Sequence, residues 1–150
     1  ARADWTNAVD ANVVPLLAAA AVATIETIFQ DDLLTAVNQQ SVLLRKELTS
    51  ALAHLPYIGD IRGKGLFLGI ELVAEKESKA PLSKATLADK RIKQRAMENG
   101  LMCYPMGGTI DGVNGHHILL APPFIIQSHH IDELVGKLSL TLKEVAETWK

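Results

Sequence analysis

The chain has 150 residues, of which 48% are hydrophobic and 21% are charged, and its formal net charge is −2. This length and composition fit one folded domain with one core, and they exclude a disordered or fibrous protein. The charge is nearly balanced and lysine and arginine do not cluster, so nothing favours binding to nucleic acid or to an anionic membrane. We therefore expect a globular single domain over residues 1–150 with neither of those partners.

Cysteine usage and the apolar segments predict a cytoplasmic protein. Cys103 is the single cysteine, which fits a reducing compartment and a thiol packed among apolar neighbours. The longest apolar run, residues 13–23, is much shorter than the ~20 residues that cross a bilayer. The segment Ala1–Trp5 lacks the features of a secretory signal.

Residues 13–55 predict two helices, preceded by an atypical leader over residues 1–12. Apolar residues recur at helical spacing as far as Phe29, and the first helix is apolar on most sides. Asp31–Asp32 interrupts this pattern, and a second apolar stripe then continues until Pro56. The first helix is therefore expected to be buried and to need a partner surface.

Residues 57–150 predict a sheet with further helices. The glycines of Arg62–Gly65 permit positive φ and indicate a turn, where Arg62 is expected to fix the turn or to form a surface ion pair. The apolar segment Leu66–Val73 is the clearest strand. A charged surface loop is expected over Glu75–Ser83.

A third helix and two short strands are expected next. Thr86 with Asp89 predicts the capped start of a helix that continues to Met97. The strands are expected over Leu101–Tyr104 and His117–Ala121, on either side of a glycine-rich loop.

The last helix completes a mixed fold. Pro122–Pro123 ends the preceding strand because proline cannot donate to a sheet, and Ser128 is expected to cap the helix that follows. The order of elements predicts an α/β (α+β) fold, in which a small, mostly antiparallel sheet is covered by helices on one face.

Two segments resemble a known family. The run Gly59–Leu72 is similar to the segment that opens the small-domain sheet of class III (omega-type) pyridoxal-phosphate-dependent aminotransferases, which have fold type I. Gly115–Ile126 is similar to their late strand and Pro-Pro turn. Ser128–Leu142 resembles their closing helix, and Pro15–Glu26 resembles their Ala-rich helix. The chain therefore resembles the C-terminal small domain of such an enzyme, without the catalytic half.

The resemblance implies a transaminase that moves an amino group between an amine or amino acid and a keto acid, with pyridoxal phosphate as the electron sink. In the family a large domain upstream supplies the Schiff-base lysine, and the active site lies between the two subunits of a homodimer. That large domain is the implied partner of this chain. None of the ten lysines stands in the family's Schiff-base context. We assign no catalytic or cofactor-binding residue, and we expect this chain alone to be inactive and to bind no cofactor.

Two positions depart from the family pattern. The family's Gly, His and Thr turn, which contacts the cofactor phosphate, corresponds here to Ala8–Val14, where Asp10 would repel a phosphate. Some members place an arginine near residues 112–119 to pair with a substrate carboxylate, but Gly112 and Leu119 stand there. A free-standing, non-catalytic binding or assembly module with the same fold is therefore the alternative hypothesis.

The glycine-rich loop contains the candidate site residues. Met106, Gly107, Gly112 and Asn114 are candidates for a mobile substrate-side loop, and a plain connection without ligand contact is the alternative. His116 and His117 adjoin the loop, but neighbours in a strand point to opposite faces. The sequence therefore predicts no metal site there.

Overall fold

The computed structural model describes residues 13–149, so the expected leader over residues 1–12 lies outside the described part. In that part the chain forms four α-helices and five strands. The helices are α1 (Val13–Gln30), α2 (Leu33–Leu52), α3 (Ala88–Glu98) and α4 (Ser128–Ala146). The strands are β1 (Ile58–Lys64), β2 (Phe67–Glu75), β3 (Ala80–Pro81), β4 (Tyr104–Gly107) and β5 (His116–Leu120). Short 3₁₀ turns occupy Lys84–Thr86 and Glu147–Trp149.

The chain divides within α2 into two compact units, residues 1–36 and residues 37–150. The described part of the first unit is dominated by α1, whose apolar side chains, Leu16, Ile25 and Phe29 among them, are exposed. The burial expected for this helix is therefore absent from the described residues, and the expectation of a single domain remains a prediction.

None of the described helices by itself is long and apolar enough to cross a membrane. Only α1 and α2 together, across the break between them, reach the required length and hydropathy.

The second unit is built on an antiparallel sheet with the strand order β1-β2-β5-β4. The short strand β3 pairs with the C-terminal end of β2. In the central pair Ile70 lies opposite Ile118, and Glu71 lies opposite His117. Because side chains alternate along a strand, Ile70 and Ile118 point to one face, and Glu71 and His117 point to the other. We call the second one the open face.

The core lies between the sheet and the helices. Ile70 and Ile118 are fully buried, as is Ile92 of α3. The later part of the apolar stripe predicted for the second helix is buried (Leu44, Leu48 and Leu52), although Leu34 at its start is exposed, and the stripe of the last helix is buried at Ile131, Leu138 and Leu142. The predicted fold class, a mostly antiparallel sheet covered by helices on one face, is confirmed.

Several predicted boundaries were wrong. The segment predicted as a turn at Arg62–Gly65 belongs mostly to β1, which pairs with β2 at every residue except Gly59, where the register shifts. Two glycines within β1 hide the alternation that identifies a strand. β4 begins at Tyr104, so the strand predicted over Leu101–Tyr104 lies too early. β3 falls inside the predicted Glu75–Ser83 loop.

Both predicted helix caps were also wrong. The residue before α3 is Leu87, which makes no side-chain capping bond, while the Thr86 hydroxyl donates to the Ser83 carbonyl oxygen at 2.7 Å. Gln127 caps α4, and His130 Nδ1 accepts from the Gln127 backbone N–H at 3.2 Å. The histidine side chain thus reaches back to the N-cap backbone as glutamate does in a capping box, which a search for serine, threonine and glutamate overlooks.

Candidate functional site

The loop between β4 and β5 is folded on itself. Its ends are joined by the hydrogen bond from Thr109 N–H to the Gly115 carbonyl oxygen at 3.3 Å, and Gly112 N–H donates to the Gly108 carbonyl oxygen at 3.1 Å. Gly108 has a φ of 71°, and a Cβ there would lie 2.8 Å from the Gly112 carbonyl oxygen. Glycine is required at this position because a side chain has neither the space nor the preferred backbone conformation.

Asp111 organises the tip of the loop. One carboxylate oxygen accepts from the backbone N–H groups of Val113 and Asn114 at 2.8 and 2.6 Å, and the other accepts from the Asn114 side chain at 3.0 Å. These hydrogen bonds to the ionised form lower the pKa of Asp111 to about 2. The loop conformation therefore depends on a charged Asp111.

Replacing Asp111 by alanine is expected to open this turn. Hydrogen exchange at the Val113 and Asn114 amides should accelerate, because both lose their acceptor. The same change should occur on acidification between roughly pH 4, the unfolded value, and pH 2, because a lowered pKa gives stabilisation that disappears when the folded form takes up a proton. The Asp132→Asn variant, at an exposed position of α4, is the control. Unchanged exchange in Asp111→Ala would contradict this account.

A small cavity of about 240 Å³ lies beside the loop. Gly107 and Gly112, two of the predicted candidates, both line it. Met106 lies opposite His117 and points to the open face, and Asn114 is bound to Asp111. The structure thus brings two of the four candidates together, and a substrate role for any of them remains a prediction.

Four titratable residues that line the cavity were not among the predicted candidates. They are Lys84, Asp89, Lys90 and His116. The first three precede α3 or belong to its first turn, far from the loop in sequence, so no local pattern joins them to it. His116 adjoins the loop in sequence, but no pattern there indicates that it lines a cavity.

His116 is buried and its hydrogen-bonding groups are unsatisfied. Its exposed fraction is 2%, and neither ring nitrogen has a partner among the described residues. The nearest carboxylate oxygen, Oδ1 of Asp89, is 3.7 Å from Nδ1, which is longer than a hydrogen bond. Burying an imidazole without partners is costly, so a site of this kind calls for an explanation.

An apolar groove of about 770 Å³ lies at one end of the sheet, where residues of the open face meet Leu120 and Leu134 from the helix-covered side. Phe67, Tyr104 and Leu119 line it on the sheet, and Pro123 and Ile125 line it beyond β5. Several of these side chains are largely exposed, with 59% for Phe67 and 62% for Tyr104. Cys103 is half-buried in the groove, and burial raises the pKa of its thiol to about 11, so it is a packing residue and not a nucleophile.

The other part of the open face is charged. Nη1 of Arg62 donates to Asp60 Oδ2 at 3.0 Å and to Glu71 Oε2 at 2.9 Å. This arrangement lowers the pKa of Asp60, chiefly through the hydrogen bond from Arg62. Desolvation, followed by the positive charge of Arg62, lowers the pKa of the neighbouring His117. Arg62 thus forms the expected surface ion pair and is not a free anion receptor.

Comparison with known proteins identifies the family. Residues 11–142 match the model of the family "Aminotransferase class-III". An uncharacterised aminotransferase of Schizosaccharomyces pombe is 37% identical over 128 residues, which is 85% of this chain and 28% of that protein. An aminotransferase structure from Bacillus anthracis superposes with a TM-score of 0.74 at 35% identity, over 83% of this chain and 27% of that one. A pyridoxal-phosphate-bound aminotransferase mutant from Vibrio fluvialis gives a TM-score of 0.73 at 28% identity, over 82% and 25%.

The chain therefore belongs to the class III aminotransferase family, which depends on pyridoxal phosphate. It spans little more than a quarter of the length of the relatives just described.

The described residues do not by themselves fit pyridoxal phosphate. A Schiff-base lysine is activated by desolvation or by a neighbouring cation, but every described lysine reaches solvent, and the least exposed, Lys137, is paired with Glu133 at 2.6 Å. The resemblance implies that the phosphate-contacting turn corresponds to Ala8–Val14, most of which lies outside the described residues. Within residues 13–149, no three histidine, cysteine, aspartate or glutamate side chains are grouped to hold a metal ion.

Proposed function

We propose that this chain is the C-terminal part of a pyridoxal-phosphate-dependent transaminase, which moves an amino group between an amine or amino acid and a keto acid. The observation that carries the proposal is the match itself, which covers 85% of this chain and only 28% of an aminotransferase. By itself the chain is inactive, because the lysine chemistry belongs to the longer enzyme. The cytoplasmic location and the lack of nucleic-acid and membrane partners are part of the same proposal.

The exposed apolar side chains of the open face are evidence that this face binds a larger partner. The helix-covered face of the sheet is closed, whereas the open face presents Phe67, Tyr104 and Leu119 around the apolar groove. An apolar surface of this kind marks an interaction site in a folded protein. The partner proposed for it is the large domain of the same enzyme, and the parent enzyme is proposed to be a homodimer.

A second candidate function is a free-standing binding or assembly module that keeps the fold without the chemistry. Asp10 favours it, because it stands in the segment that corresponds to the phosphate-contacting turn. Gly112 and Leu119 favour it as well, because neither can pair with a substrate carboxylate.

The length and the absorption spectrum of the natural polypeptide that carries this sequence distinguish the two functions. An antibody raised against the 150-residue chain would capture it from its source for measurement of the intact mass and the absorption spectrum. We expect a polypeptide several times longer than this chain, with the absorption band of a cofactor Schiff base. A natural product of 150 residues without that band would overturn the transaminase proposal and support the module.

A further inference from the structure

The start of α4 is held by a histidine ring that acts as a hydrogen-bond acceptor. His130 Nδ1 accepts from the Gln127 backbone N–H at 3.2 Å, so the proton of the neutral ring lies on Nε2. A protonated imidazole carries a hydrogen on both nitrogens and cannot accept. The His130 side chain is exposed, so it can take up a proton without unfolding of the chain. The capping bond therefore exists only while His130 is neutral.

The position of His130 in the first turn of α4 also disfavours a positive charge on its ring. The N–H groups of a first helical turn form the positive end of the helix dipole, so a cation is destabilising there. The ring of His129 lies beside that of His130 with a centroid distance of 3.8 Å, and two protonated rings at this distance repel each other. Both effects act in the same direction as the loss of the acceptor.

The surrounding charged groups offset these effects only in part. Glu133, one turn further along α4, attracts a proton to His130, but its carboxylate is already paired with Lys137 Nζ at 2.6 Å. The hydrogen bond from Lys137 is the main cause of the lowered pKa of Glu133. The residues from other elements that share the groove with His130 include two titratable ones, Cys103 and Tyr104. Burial raises the pKa of the thiol to about 11, and a phenol is neutral below about pH 10, so neither supplies a counter-charge.

The start of α4 is at the same time a wall of the apolar groove. His130 lines the groove, as do Pro123, Ile125 and Ile126 from the segment that leads into the helix. Ile126 is 7% exposed and Ile131 is fully buried, and the two occupy the positions of a hydrophobic staple, one before the capping residue and one in the second turn. The cap and the staple together fix the angle at which this segment enters α4. Loss of the cap therefore loosens the groove wall.

We propose that His130 is a pH-sensitive cap, which holds the groove wall at the start of α4 while the ring is neutral and releases it when the ring is protonated. The sign follows from the acceptor role of Nδ1. The stabilisation is present above the range in which histidine side chains ordinarily take up a proton, about pH 6.5, and it is lost below that range. The inference concerns the described chain alone. It goes beyond the proposed transaminase function and can fail or succeed separately from it.

The test is nuclear magnetic resonance of the isotope-labelled 150-residue chain at about pH 7.5 and about pH 5.5, on either side of the ordinary histidine value. The readouts are the ring nitrogens of His130, hydrogen exchange at the Gln127 amide and the methyl resonances of Ile126. At the higher pH the ring proton is expected on Nε2. At the lower pH the Gln127 amide should exchange about tenfold faster, after correction for the intrinsic effect of pH, because the cap is lost at the positive end of the helix. The Ile126 methyl resonances should shift together with the titration of His130.

Three surface variants make the test specific. His130→Glu supplies an acceptor that stays ionised over this range, so it should abolish the acid effect on the Gln127 amide. His130→Ala removes the acceptor and should give fast exchange at both pH values. His54→Gln replaces an exposed histidine outside α4 and should leave the acid effect unchanged. The proposal is overturned by equal exchange of the Gln127 amide at both pH values in the original chain, by an acid effect that persists in His130→Glu, or by Ile126 resonances that do not follow His130.

Discussion

Replacing Gly63 by alanine is expected to destabilise the sheet by roughly 2–4 kcal/mol, through backbone strain and steric overlap. The φ of Gly63 is 148°, and a Cβ there would lie 2.1 Å from the Phe67 carbonyl oxygen and 2.9 Å from the Leu68 Cα. Both contacts are with backbone atoms of β2, so no side-chain rotation can relieve them. The free energy of unfolding, measured by urea denaturation of the 150-residue chain, gives the result.

Gly136 offers the same substitution with the opposite expectation. It lies inside α4, and a Cβ there meets no atom within 4 Å. Gly136→Ala should stabilise the protein by about 0.5–1 kcal/mol, because alanine loses less backbone entropy in a helix. Equal effects of the two variants on the free energy of unfolding would show that the close approach of β1 to β2 at Gly63 is not formed as described.

Truncation of Ile118 to alanine is expected to cost about 2–5 kcal/mol, and Ile118→Val about 0.5–1.5 kcal/mol. Ile118 is 0% exposed in the second central strand, β5, and its removal leaves a cavity between the sheet and the helices. Urea denaturation again provides the measurement. Leu119→Ala is the matched control, because its side chain points to the open face and is only partly buried. A cost for Leu119→Ala as large as that for Ile118→Ala would contradict the assignment of the two faces.

The sequence predicted the helices and the fold class well because these depend on patterns that extend over many residues. The stripe of Ile131, Leu138 and Leu142 identified α4 and its buried face, although its cap was wrong by one residue. β1 could not be predicted in this way, since Gly59 and Gly63 interrupt its alternation and only pairing with β2 makes it a strand. Local propensity therefore failed where tertiary pairing decided the structure.

The candidate site was predicted only in part, for a related reason. Gly107 and Gly112 were recognised because glycine-rich loops are visible in a sequence. Lys84 and Asp89 reach the same cavity from before α3 and from its first turn, and only the packing of that helix beside β4 and β5 brings them there. The family itself was evident from two motifs, and residues 11–142 match its model.

The order of the strands also determines how this protein can associate. β1 and β4 form the two edges of the main sheet. β4 contains Pro105, which cannot donate a backbone hydrogen bond, and β1 carries Asp60, Arg62 and Lys64. Proline and charged side chains at sheet edges discourage the addition of another strand. These edges therefore disfavour continuation of the sheet from molecule to molecule, which is consistent with the proposed association through the open face.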